Sequence, residues 1–426
     1  MADRKETQAN VVRREGRTWI EDVPRRQIGD RWDMLLRGVR VLLEHRGEGV
    51  RFHDLMALSG DAFNLCFTSH WQGTAYLAVP TDTLGNVTDA YGYEHWWNAP
   101  LQDREMRGLT ESARRELTES SLKQIREEID AGRPVLVGGC ADRGCAPWSA
   151  VVGYDDAGEQ LCHVGIGEPY RWTGIRGLTI DNEEESQTVG YWNGRVRGTV
   201  RPNFVGGWLA NPAFMLGDRH GRPSRRANAV SALSRAVDLF EAEPHEIDHW
   251  GGVTYWFGED AYREWAGALE ALDYPADLQK PRPNGAYDWY EMHIVNVMVD
   301  TVVRGRTAAA EFCNRAGMLL GNVRHHMDAA ARSYRREVAL ARDAFSVFLD
   351  GDEDEVEAWL ADTDRRALGA AAVRRMLERE RAAVRAVQEA LQVERQEVPA
   401  ASVRPTPGME ETARSREGLG EDEEAR

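Results

Sequence analysis

No stretch of this 426-residue chain approaches the roughly 18 consecutive apolar residues that would span a bilayer, so no membrane partner is expected. The opening MADRKETQANVVRREGR is charged and has no apolar core of a signal peptide, which makes cytoplasmic residence the expectation. Cysteine is scarce: Cys66, Cys140, Cys145, Cys162 and Cys313 stand at irregular spacing and make no disulfide framework. In a reducing compartment they read as free thiols. Positive charge is also short, with a formal net charge of −17, whereas a nucleic-acid partner needs a basic surface. No cofactor is implied.

What is present is an ordinary apolar content and 14 tryptophans, enough large side chains for two or three domains. Residues 1–16 are polar and read as disordered. Over 31–47, Leu36, Val39 and Leu43 share a helical face and Gly47 can close the helix. A longer helix runs from Glu111 to Ala131 with Leu122, Ile125 and Ile129 inward, stopped by Gly132 and Pro134. PVLVGG and WSAVVGY read as strands, and the turn Asp155–Gly158 joins the second to a hairpin partner, EQLCHVGI. From Ser224 onward the period is helical. Stripes include Val230, Leu233, Val237 and Phe240; Tyr262, Trp265, Leu269 and Leu272; Met327 to Phe345; and Val373 to Leu391. The reading is an α+β domain over 17–220, an all-α bundle over 221–395 and an acidic disordered segment over 396–426. The near-heptad stripe from Met327 to Phe345 suits either pairing between chains, a homo-oligomer, or packing within one.

The order helix, SGDAFNL, helix, GRPVLVGG, WSAVVGYDDAG, over about residues 30–170, resembles the papain-like domain of bacteriocin-processing cysteine peptidases. It is also similar to the N-terminal domain family of the butirosin-biosynthesis acyltransferases. In such domains a nucleophile opens a helix, where the macrodipole favours a thiolate, and a histidine on a facing strand takes its proton. The resemblance places the nucleophile at Ser59, the histidine at Pro147 or Trp148, and the orienting Asp-Pro at Glu168-Pro169. Two of the three roles are changed and the base is missing. The resemblance therefore implies a catalytically degenerate papain-like domain that binds a small molecule or peptide near Ser59, Asp61, Trp71, Trp148 and Tyr154. The alternative is a cysteine-dependent acyltransferase or amide hydrolase.

Cys66 stands seven residues after Ser59, two turns along if SGDAFNL begins a helix, with His70 beyond it; otherwise it is a small core residue. Cys140, Cys145, Cys162 and His163 could supply four zinc ligands, although adjacent strand residues point to opposite faces. His245-Glu246-Ile247-Asp248-His249 has the spacing of a zinc hydrolase on a helix, but Pro244 and Gly251-Gly252 leave no room for one, so it reads as a connector. His325-His326 places one ring toward solvent and one at the flank of the core. Tyr91, Tyr93, His95, Trp96 and Trp97 form an aromatic group that lines a pocket or plugs the core. DGDEDEVEAW reads as a helix N-terminal turn.

Overall fold

The computed structural model describes residues 10–24, 34–68, 82–98, 111–138, 148–157, 160–164, 171–174, 213–247, 253–274 and 290–397. The fold is a mixture of helix and antiparallel sheet with a helical C-terminal region. Within the stretch 1–16 expected to be disordered, residues 10–16 are instead part of a hairpin, and residues 1–9 lie outside the described residues. β1 (Val11–Arg14) and β2 (Arg17–Ile20) form a hairpin, and Val11, Val12 and Trp19 give it the β-branched and aromatic residues a pleated surface favours.

β1 and β2 belong to an eight-stranded sheet with β4 (Tyr93–Asn98), β5 (Val135–Gly138), β6 (Trp148–Asp155), β7 (Gln160–Val164), β8 (Arg171–Gly174) and β9 (Ala213–Arg219). The path is β1-β2-β6-β5-β9-β4, with β7 and β8 continuing outward from β6. β6 and β7 are the expected hairpin, paired antiparallel from Ala150–Val164 to Tyr154–Leu161. Successive residues of β5 and β9 feed two different cores: Leu136, Phe214 and Leu216 on one face, Val135, Val137 and Met215 on the other. α1 (Met34–His45) lies on the first face, with Gly38 closely opposed to Leu136. α4 (Glu111–Asp130), entered after α2 (Phe52–Ser59) and α3 (Thr83–Tyr91), covers the second through Ile125 and Ile129.

The region beyond residue 220 is not purely helical. α5 (Arg225–Phe240) is followed by two short strands, β10 (His245–Ile247) and β11 (Val253–Phe257), before α6 (Gly258–Ala271). β11 pairs with β10 on one side and with β3 (Cys66–Thr68) on the other, so a segment from the first part of the chain completes a sheet in the second. The rest is α7 (Tyr290–Leu320), α8 (Arg324–Ala344), the short α9 (Ser346–Asp350), α10 (Glu353–Ala361) and α11 (Thr363–Glu397). α10 opens with a capping box between Asp352 and Glu355, the helix start expected of that acidic stretch. On α5 the fully buried face is Ala229, Ala232, Leu233, Ala236 and Leu239; Val230 and Val237 flank it. Met327, Ala330, Tyr334, Ala341 and Phe345 are all buried, so packing within one chain accounts for that stripe.

The boundary at 220 does not separate two cores. One continuous core holds Leu36, Leu55, Phe63 and Phe214 together with Leu233, Phe312, Tyr334 and Val387. A second, around Trp265, Phe345 and Trp359, also includes Leu65 and Phe67. Among the described residues no helix is long and apolar enough to cross a membrane.

Candidate functional site

The segment SGDAFNL does not open a helix. Ser59 is the last residue of α2, and Gly60 follows with φ +94°, a left-handed cap that a Cβ would strain. The amide of Gly60 donates to Ala57 O at 3.2 Å and that of Ala62 to Met56 O at 2.9 Å, closing the turn over the last carbonyls of the helix. The Ser59 hydroxyl is fully buried; it donates to Met56 O at 2.8 Å and accepts from the Asp61 amide at 3.1 Å. A nucleophile at this place would face the negative end of the helix dipole, the opposite of what thiolate or alkoxide formation needs. Asp61 is half-buried in the same turn.

Cys66 is on a strand, not two helical turns beyond Ser59. It pairs with Phe257 in the three-stranded sheet, and burial pushes its thiol well above the ordinary range. Cys162 and Cys313 are likewise buried, each pushed up to about 12 by loss of water. None of these three has the exposed, electropositive surroundings of a reactive thiol. Trp71, Glu168, His70, Cys140 and Cys145 lie outside the described residues.

The helix laid on the sheet beside β5 and β6 is α1, and its first turn reads Met34-Leu35-Leu36-Arg37, with no nucleophile. Trp148 opens β6 opposite Gly138. Tyr154, near the other end of that strand, is half-buried, and its hydroxyl donates to Asp130 Oδ1 at 3.0 Å. The Arg126 guanidinium stands 5.4 Å from the Tyr154 ring centroid, and Arg13 pairs with Asp130 at 2.6 Å. Tyr154 packs against the core of the outer sheet face, whereas Leu58, Ala62 and Phe63 around Ser59 belong to the core shared with the helices. Ser59 and Tyr154 thus belong to different layers.

His245 and Glu246 are neighbours on β10, paired with Tyr255 and Thr254 of β11, so this stretch is strand and not helix. This excludes the helical zinc geometry; His249 is outside the described residues. His163 and Cys162 are both buried on β7. His325 is exposed, while His326 is half-buried with Nδ1 2.9 Å from Glu389 Oε2. Among the described residues no group of three or more His, Cys, Asp or Glu is arranged to hold a metal ion. Of the aromatic group, Tyr91 and Tyr93 are buried, His95 accepts or donates at 2.8 Å with Thr88 Oγ1, and Trp96 is exposed.

The most concentrated chemistry is one the stripes concealed. Arg306 on α7, Glu337 on α8, Glu380 on α11 and Tyr262 on α6 meet in the interior with almost no solvent exposure. Arg306 donates from Nε to Glu380 Oε2 at 2.8 Å and from Nη2 to the Tyr262 oxygen at 3.2 Å. The Tyr262 hydroxyl donates in turn to Glu337. From Nη1, Arg306 reaches Ala62 O at 3.0 Å and Asn64 O at 3.3 Å, so the guanidinium ties the turn after Ser59 to three helices. Two carboxyls face one guanidinium. Burial, and next the charge of Glu380, hold the Glu337 carboxyl well above the usual carboxylate range, so it keeps its proton. A side-chain hydrogen bond between Glu337 and Glu380 pushes it in the same direction. The helix spacing carried a signal: Glu337 stands three after Tyr334, and Glu380 three after Leu377, each on an apolar stripe where a charge is out of place. This cluster positions structure and reaches no solvent. No protein-family model matches the chain, and no curated protein matches it either.

Proposed function

We propose that the protein binds a small molecule or peptide without transforming it at Ser59 or Cys66, on a domain whose layout is papain-like but catalytically degenerate. The ligand lies against β6, with Trp148 and Tyr154 as contact residues. The observation that carries this reading is the state of Ser59: buried, at the wrong end of its helix, with its hydroxyl committed to backbone bonds. The absence of a nucleophile type in the first turn of α1 supports it, as do the raised thiols of Cys66 and Cys162. Tyr154 offers a half-buried ring with a hydroxyl already held by Asp130, an amphipathic surface suited to orienting a ligand.

A thermal-shift screen with short peptides, amino acids, polyamines and acyl thioesters tests this, with mass spectrometry of each hit. The expected result is a ligand that raises Tm, returns chemically unchanged, and loses its effect in Trp148→Ala and Tyr154→Ala. Product formation abolished by Ser59→Ala or Cys66→Ala overturns the reading. So does a Tm shift untouched by both Trp148→Ala and Tyr154→Ala.

A further inference from the structure

Through Arg306, α7 grips the turn that joins α2 to β3. Nη1 donates to Ala62 O and Asn64 O, and the neighbouring Gly305 lets the helix come close, since a Cβ there would stand 3.2 Å from Ala62 O. The turn has bonds of its own: the amide of Ala62 donates to Met56 O, and those of Phe63 and Asn64 donate to Gly60 O at 3.0 Å. Arg306 adds the tie between that turn and the helices. The tie depends on a proton. Glu380 Oε2 accepts from Arg306 Nε at 2.8 Å, and Glu337 Oε1 stands 3.6 Å from the same nitrogen. The Tyr262 hydroxyl touches both carboxyls, donating to Glu337 and lying 3.5 Å from Glu380 Oε2. Glu337 and Glu380 are also hydrogen-bonded to each other, a contact two carboxyls make only when one of them carries a proton.

The groups that face this pair come from every helix around it: Tyr262 from α6, Arg306 and Cys313 from α7, Tyr334 from α8 itself and Glu380 from α11. Burial holds the Tyr334 and Cys313 protons, Cys313 being pushed up to about 12, so neither adds charge near neutral pH. Arg335, which acts on Cys313, is exposed and pairs with Glu311. On the turn side, Asp61 is half-buried, and Arg235 of α5 donates to Leu58 O. Among the described residues Arg306 is the one cation that touches either carboxyl. With one proton held, one carboxylate meets one guanidinium and the charges balance.

We propose that this cluster is a proton-controlled latch: loss of the shared proton draws Arg306 off the Ala62 and Asn64 carbonyls and releases the turn from α7. A second buried carboxylate needs a charged donor, and the nearest is Arg306 Nε. Serving both carboxylates turns the guanidinium toward α8 and takes Nη1 from the two carbonyls. In the opened form Glu337 meets water, where a carboxyl ionises at about 4.3. The opened form has therefore released a proton that the closed form keeps, and rising pH favours opening. The gain is up to about tenfold per pH unit until the closed form itself loses the proton. β3 keeps its pairing with β11, so Cys66 stays covered.

Hydrogen–deuterium exchange of the full chain from pH 5 to pH 8, corrected for the intrinsic pH dependence of amide exchange, tests this. It follows a peptide covering residues 60–64 against one covering 150–152 in β6. Protection of 60–64 is expected to lie below that of 150–152 at every pH, and to fall at least tenfold across the range. Glu337→Gln and Glu380→Gln each leave one carboxylate for one guanidinium, and in both the fall is expected to vanish. Should one of the two variants not fold, the other and the native profile decide. Protection of 60–64 that does not change with pH in the native chain overturns the proposal, as does an equal fall in a Gln variant. Equal protection of 60–64 and 150–152 at each pH also overturns it, because the opening is then unfolding of the whole chain.

Discussion

At the scale of single residues, the decisive cases are charges that occupy apolar positions. Arg306, Glu337 and Glu380 are buried together because each satisfies the next, with Tyr262 relaying a hydrogen bond between guanidinium and carboxyl. Replacing a buried ion pair by apolar groups is often neutral, but removing one partner strands a charge, so the cluster tolerates joint changes better than single ones. The proton on Glu337 gives this a pH signature. Its folded-state pKa lies above the unfolded value of about 4.3, so its contribution is full below that pH and is lost as pH rises toward the folded pKa. Glu337→Gln, always neutral, removes that loss. Urea unfolding of both proteins at pH 5 and pH 8 is expected to show the variant gaining on the native chain as pH rises, with a slope of up to about 1.4 kcal/mol per pH unit while a proton is being released. A difference independent of pH contradicts a protonated Glu337.

At the scale of elements, the turn Ser59–Leu65 is the joint of the molecule. Arg235 from α5 donates to Leu58 O at 2.6 Å and to Asn86 at 2.7 Å, while Arg306 from α7 holds Ala62 and Asn64. The Phe63 ring packs edge-on to Phe312 at 6.3 Å. Gly60→Ala puts a Cβ 2.9 Å from Arg235 Cδ at a left-handed φ, and is expected to lower the urea-unfolding stability by more than about 1 kcal/mol. Ser59→Ala removes one buried side-chain bond and is expected to cost about 1 kcal/mol with the fold intact. The elements themselves were largely legible. Leu36, Val39 and Leu43 on α1, Ile125 and Ile129 on α4, the β6–β7 hairpin and the stripes of α6, α8 and α11 all announced themselves by period. The joint departs from the expected helix opening, because Ser-Gly after an apolar helical run is a C-terminal signal. HEIDH has helical spacing but is preceded by Pro244 and followed by glycines, and three of its residues form a strand edge of a sheet whose other members come from elsewhere in the chain. Strand pairing of β3 with β11 is non-local and leaves no trace in a local pattern.

At the scale of the whole molecule, the two-part division by grammar is real in the sequence but does not divide the packing. Leu65 and Phe67 sit in the helical core, and Phe214 shares a core with Val387. A fragment spanning 221–397 lacks β3, the Ser59–Leu65 turn and the two carbonyls that Arg306 holds. It is expected to show helical circular dichroism without a cooperative urea transition, whereas the full chain unfolds cooperatively. An independent, cooperative fragment contradicts the shared core. The central claim is that the Ser59–Cys66 region is a structural joint and not a catalytic centre. Iodoacetamide labelling of the native full-length protein between pH 6 and pH 9, mapped by peptide mass spectrometry, tests it most directly. The prediction is that Cys66, Cys162 and Cys313 stay unmodified until urea unfolds the chain. Rapid alkylation of Cys66 in the native protein at pH 7 would contradict it.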